Sequence, residues 1–153
     1  MTLKTLPKDE LINTVGTKLK SSPWIALSQE RINTFAECTG DNYFIHVDEE
    51  RAKQTPLGGT IAHGLLTLSL LPYLMENFIV PENMLHGLNY GFDKVRFLTP
   101  VRSGKKVRLH AEVLEIERKD ENRFLFKIGV SVEIEDEATP ALVAEWINLF
   151  ITE

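Results

Sequence analysis

Residues 61–71 read Ile61-Ala62-His63-Gly64-Leu65-Leu66-Thr67-Leu68-Ser69-Leu70-Leu71, and His63 apart, every position is apolar, small or lightly polar. Wound as a helix, the segment has no side polar enough to face water. A helix that is apolar all round belongs inside a fold. The segment predicts a buried central helix from Ile61 to about Met75, with Pro72 kinking or shortening it. Pro56, Gly58 and Gly59 form the loop that leads into it.

Downstream the period changes to two. Phe124, Phe126, Ile128, Val130, Val132 and Ile134 alternate with Arg123, Leu125, Lys127, Gly129, Ser131 and Glu133. Val107, Leu109, Ala111 and Val113 alternate too, and the phase then slips at Leu114 and Ile116, which predicts a bulge. Lys119-Asp120-Glu121-Asn122 reads as a hairpin turn. Leu88 to Phe97 is a further strand, ended by Pro100. Leu142 to Ile151 is a strand apolar on both faces apart from Glu145 and Asn148.

Upstream the pattern is helical. Pro7 suits a first helical position, with Leu11, Ile12 and Val15 as one apolar face and Gly16 as the stop. Pro23 to Leu27 reads as a short strand. Ser28 is an N-cap for a helix to about Cys38, with Ile32, Phe35 and Ala36 inward and Cys38 as a packing residue. Thr39-Gly40-Asp41 breaks that helix, and Asp48 caps a short one through Ala52.

Helices first and strands later make an α+β domain. Long neighbouring strands joined by tight turns form an antiparallel sheet, and the one fully apolar helix must cover a face of it. A long antiparallel sheet wrapped around a central buried helix is the hot-dog fold. The doubly apolar final strand suggests that a second subunit covers the sheet edge.

At 153 residues the chain reads as a single domain over 1–153. A composition 43% hydrophobic and 25% charged excludes a disordered chain or a fibre. Lys and Arg total 17 against 22 Asp and Glu, a net charge of −5, which argues against general nucleic-acid binding. The lone Cys38 allows neither an intrachain disulfide nor a Cys-rich zinc site. The chain start, from Met1, carries no apolar run of signal-peptide length. Leu65 to Leu74, broken by Thr67, Ser69 and Pro72, is too short to span a membrane. A cytoplasmic protein without membrane or nucleic-acid partners is the expectation.

Three segments carry candidate chemistry. Asp41 and His46 put a carboxylate and an imidazole five residues apart on an interhelical loop, a pair able to move protons to and from water. The competing reading is a helix cap and a surface histidine. Gly58-Gly59-Thr60-Ile61-Ala62-His63-Gly64 brings a glycine-bearing turn into a helix start, where free N–H groups suit a developing oxyanion. The competing reading is close packing. His63 reads as a hydrogen-bonded core residue, with a second catalytic base as the alternative. Lys94, Arg96, Arg102, Lys105, Lys106 and Arg108 form a basic run without an acid, suited to phosphates or to a solvated face. Asp41, His46 and Asp48 lack a spacing that specifies a metal, and no phosphate-loop ending follows Gly58-Gly59.

Taken together, Gly40-Asp41-Asn42-Tyr43-Phe44-Ile45-His46-Val47-Asp48 and Gly58 to Pro72 resemble the active loop and following helix of MaoC-like hydratases. Asn89 to Phe97 with Pro100-Val101 is similar to a strand of the family's nodulation-protein-N-like branch. The resemblance covers nearly the whole chain. It implies a hot-dog homodimer that adds water to trans-2-enoyl thioesters with R specificity, reversibly and without metal or cofactor. Carried over by position, Asp41 and His46 are the catalytic pair and the Gly64 N–H is the oxyanion donor. Thr67 and Ser69 are candidates for a supporting hydroxyl. Lys94, Arg96, Lys105 and Lys106 are candidates for contacts to the phosphates of a CoA or acyl-carrier-protein substrate. Many members have Asn-Pro where this chain has Tyr43-Phe44, a change that the nodulation-like branch tolerates. The alternatives are an acyl-CoA thioesterase and a non-catalytic acyl-CoA-binding module.

Overall fold

The computed structural model describes residues 3–153; Met1 and Thr2, where the reading of the chain start begins, lie outside them. The main sheet has the order β2-β5-β6-β7-β4, with every neighbouring pair antiparallel. Its strands are β2 (Ile25–Ala26), β4 (Met84–Phe97), β5 (Lys106–Arg118), β6 (Arg123–Ile134) and β7 (Leu142–Thr152). Alternation decides the inner face: Val107, Leu109 and Val113 of β5, Phe126, Ile128 and Val132 of β6, and Leu142 and Trp146 of β7 are buried. The phase slip expected at Leu114 is a register shift between Val113 and Glu115. The turn at 119–122 joins β5 to β6, as expected.

Helices α1 (Gln29–Thr39), α2 (Phe44–Val47), α3 (Glu49–Ala52), α4 (Gly64–Ser69) and α5 (Leu71–Leu74) complete the hot-dog arrangement expected from sequence. Leu66, Leu71 and Leu74 share one core with the inner face of the sheet. Among the described residues, no helix is long and apolar enough to cross a membrane.

Several expectations need correction. The central helix starts at Gly64, not Ile61, because Ile61 N–H donates to Ile45 O (3.0 Å) and Ala62 N–H to Val101 O (2.8 Å), tying both residues to other segments. It splits at Leu70, where Pro72 enters the first turn of α5. It is also not covered all round, since Leu65 is 61% and Tyr73 60% exposed. The first helix is a 3-10 segment, Lys8–Thr14, with Pro7 just outside it. Three residues per turn separate Leu11 from Ile12 and Val15, so only Leu11 is buried. The Pro23–Leu27 strand shrinks to Ile25–Ala26, and Cys38 is exposed rather than packed. A parallel pair, β1 (Leu3–Leu6) with β3 (Phe78–Pro81), was not visible in the pattern.

The sheet edge differs from expectation most. β7 lies between β6 and β4, and its outer face is only half buried. The open edge is β4, which exposes Leu85, Leu88, Tyr90, Phe92 and Phe97.

Candidate active site

Local signals set the loop between α1 and α2. Ser28 caps α1 by accepting from Arg31 N–H (3.3 Å). Gly40 ends α1 at φ 80°, a left-handed conformation that favours glycine, and Asp41 follows directly. The Asp41 carboxylate accepts from Tyr43 N–H (3.4 Å), and Asp41 N–H donates to Thr39 Oγ1 (3.4 Å). Tyr43 opens α2, the single turn that carries His46 inward, and Asp48 caps α3 by accepting from Arg51 N–H (3.0 Å).

His46 is buried, and its Nδ1 lies 2.7 Å from Ile61 O. The carbonyl can only accept, so Nδ1 carries the hydrogen and Nε2 presents a lone pair. His63, buried beside it, donates from Nε2 to Asp41 O (2.9 Å). The two rings stack with centroids 3.8 Å apart and planes 27° from parallel. Burial holds the His46 pKa below 6.5, against the opposing pull of the Ile61 carbonyl. His63 lowers it further, while Asp41 raises it. His63 Nδ1 is buried without a hydrogen-bond partner, an arrangement that costs about 1–3 kcal/mol.

His46 and Gly64 line one cavity of about 220 Å³ with Thr67, Phe97, Pro100 and Val101. Gly64 is the first residue of α4, where the N–H has no partner within the helix. A methyl group at Gly64 would meet the Phe97 ring at 2.8 Å, so the ring packs directly on this glycine. Thr67, also buried, donates toward His63 O (3.4 Å). Ser69 is exposed, donates to Leu66 O (2.8 Å) and lies outside the cavity wall. Of the two hydroxyl candidates, only Thr67 reaches the site.

One ligand atom from each of Asp41, His46 and His63 lies within 4.8 Å of the others. His46 Nδ1 and His63 Nε2 are committed to carbonyls. The other ring nitrogens, His46 Nε2 and His63 Nδ1, keep their lone pairs. Two hydrogen bonds of about 2.8 Å meeting at one water span about 4.5 Å, which falls within that 4.8 Å limit.

The basic run does not form one patch. Lys94 and Arg96 lie on β4 and Lys106 on β5, with β6 and β7 between those strands. Lys94 pairs with Glu145 (2.5 Å) and Lys106 with Glu135 (3.0 Å). Arg96 donates to Val95 O (2.7 Å) and Lys105 to Glu135 O (3.2 Å).

A supporting network escaped the sequence reading. Gln29 Nε2 donates to His46 O (2.7 Å), and its Oε1 accepts from the Thr60 hydroxyl (2.6 Å). Glu49 accepts from Thr60 N–H (2.8 Å), and the Thr60 main-chain and hydroxyl bonds together hold its carboxyl below the usual range. No spacing rule links Gln29 to His46 or Thr60. Only the packing of α1 on the loop does.

Residues 10–134 match the family described as MaoC like domain. 3-Hydroxyacyl-thioester dehydratase Z of Mycobacterium tuberculosis H37Rv is 39% identical over 142 residues, covering 93% of this chain and 94% of that protein. Nodulation protein N of Rhizobium leguminosarum bv. viciae is 45% identical over 141 residues, covering 88% and 85%. The solved monoamine oxidase regulatory protein from Archaeoglobus fulgius superposes with a TM-score of 0.79 at 25% identity, covering 98% and 97%. The matched region contains the 41–46 loop and the α4 entry, and the chain belongs to the MaoC-like domain family.

Proposed function

We propose that the protein is an (R)-specific 2-enoyl-thioester hydratase, a hydro-lyase that interconverts trans-2-enoyl-CoA and 3-hydroxyacyl-CoA in fatty-acid metabolism. One observation carries this reading: His46 and Gly64 share a cavity wall, and an Asp41 carboxylate oxygen lies within 4.8 Å of a His46 nitrogen. The mycobacterial relative's name describes the same reaction in the direction of dehydration.

Asp41 and the His46 Nε2 lone pair orient one water and take one of its protons, while its oxygen bonds to C3 of the enoyl group. The C2–C3 double bond becomes single, and the pair returns a proton to C2, so the sum is one water added. As that happens, negative charge builds on the thioester oxygen facing the Gly64 N–H. Thr67 supports the site from the cavity wall. Because Asp41 is exposed and His46 buried, the two groups sit in environments that separate their tasks.

The chain acts as one catalytic domain within a homodimer. The support is β4, a 14-residue edge strand exposing five large apolar side chains, which a second copy would cover. The carrier is CoA or acyl carrier protein, with Arg96 and Lys105 free of acidic partners among the described residues, and Lys94 and Lys106 able to exchange theirs for phosphate. The enzyme is assigned to the cytoplasm with that carrier.

Crotonyl-CoA tests the reading. Purified protein should remove the enoyl absorbance and yield the (R)-3-hydroxy product without releasing thiol. Thiol release from a saturated acyl-CoA would point to thioester hydrolysis instead.

A further inference from the structure

His63 has no step in the hydration chemistry, yet it is 3% exposed and touches the His46 ring and the main chain of Asp41. One face lies on the His46 ring at 3.8 Å, and the Phe35 ring lies 5.0 Å away at 51°. Its Nε2–H donates to Asp41 O at 2.9 Å, and its Nδ1 has no partner.

That unpartnered nitrogen is informative. An apolar side chain of similar size would fill the same space without burying an unsatisfied polar atom. What it would lose is the bond to Asp41. The other holds on Asp41, through Thr39 Oγ1 and Tyr43 N–H, are both 3.4 Å long, and its side chain is exposed. The histidine bond is therefore the shortest of the hydrogen bonds that Asp41 itself makes.

We propose that His63 is a positioning residue: its ring backs His46 while its Nε2–H anchors Asp41, setting the separation of the acid–base pair. The proposal rests on the hydratase reading for its kinetic consequence and on geometry alone for the anchor. Misplacement of a reacting group by about 1 Å costs on the order of 100-fold in rate. His63 does not line the cavity, so its loss should fall on kcat and not on KM.

The test compares His63→Gln, whose amide N–H occupies the place of Nε2, with His63→Phe, which keeps a stacked ring but no donor. His63→Met serves as a second donorless variant should the phenylalanine not fold. The expected result is a kcat for crotonyl-CoA lowered about 10- to 100-fold in the donorless variant, an unchanged KM, and substantial recovery in His63→Gln. Amide hydrogen exchange across 41–43 should quicken without the donor and slow again with Gln. That readout needs no substrate. A wild-type protein that does not hydrate crotonyl-CoA would sink the hydratase reading but leave the exchange comparison to decide the anchor. Exchange unchanged in the donorless variants, or equal losses in all variants that track a fallen melting temperature, would overturn the role given to His63.

Discussion

His46 and His63 cross-tie the two segments that carry them: His46 donates to Ile61 O (2.7 Å), beside His63, while His63 donates to Asp41 O (2.9 Å), on the His46 loop. Their rings stack at 3.8 Å between these two bonds, and Ile61 N–H returns a third to Ile45 O (3.0 Å). The loop and the helix entry are thus one unit, although 15 residues separate His46 from Ile61.

The first prediction concerns pH. His46 acts as a base only when unprotonated, and burial lowers its pKa from 6.5. The midpoint of the acid limb of kcat/KM should therefore fall below pH 6.5. The same shift affects stability, because an unfolded chain binds this proton more readily than the folded one. The His46 contribution is intact above the unfolded pKa and is lost as pH falls through 6.5 toward the folded value. A pH–rate profile checks the sign, and an acid limb above 6.5 would contradict it.

Gly64 offers a test of the oxyanion donor that separates chemistry from packing. Gly64→Ala and Gly64→Pro both press on the Phe97 ring, but only proline removes the N–H. Proline is tolerated at a first helical position, and His63 already has the extended backbone that a residue before proline prefers. Proline should lower kcat by about 100- to 1,000-fold beyond alanine. Equal kcat values in steady-state assays of the two variants would remove Gly64 from the mechanism.

Gln29 holds the back of the loop. Gln29→Leu deletes the bond to His46 O and leaves that carbonyl without its side-chain donor. A stability loss of about 1 kcal/mol is expected in urea unfolding, together with a lower kcat. A variant as stable and as active as the parent would show the network to be incidental.

The β4 edge predicts an association surface. Leu88 and Tyr90, 48% and 65% exposed, are both open to solvent on this edge strand, with Tyr90 at the register shift between Asn89 and Gly91. Sedimentation should find wild-type dimers and a monomeric Leu88→Lys/Tyr90→Lys double variant. A wild-type monomer at micromolar concentration, or an unchanged dimer in the variant, would rule this edge out.

Much of the fold was legible because its signals are local and periodic. The alternation of β5 and β6, the Leu114 slip, the 119–122 turn and the Ser28 and Asp48 caps all read directly from neighbouring residues. The central helix was misjudged because composition cannot show that Ile61 and Ala62 are bonded to Ile45 and Val101. Nor could the pattern show that β4 forms the open edge while the doubly apolar β7 lies inside the sheet, since strand order is a long-range property. In the site, motif resemblance pointed to Asp41, His46 and Gly64. His63 was visible as a core histidine, but its bond to Asp41 was not, and Gln29 left no signal at all.

The central claim is that Asp41 and His46 together move the protons of hydration. Loss of crotonyl-CoA enoyl absorbance in wild type, Asp41→Asn and His46→Ala tests it most directly. Turnover by the wild type and a loss of at least about 100-fold in each variant is the predicted result. Full turnover in either variant would contradict it.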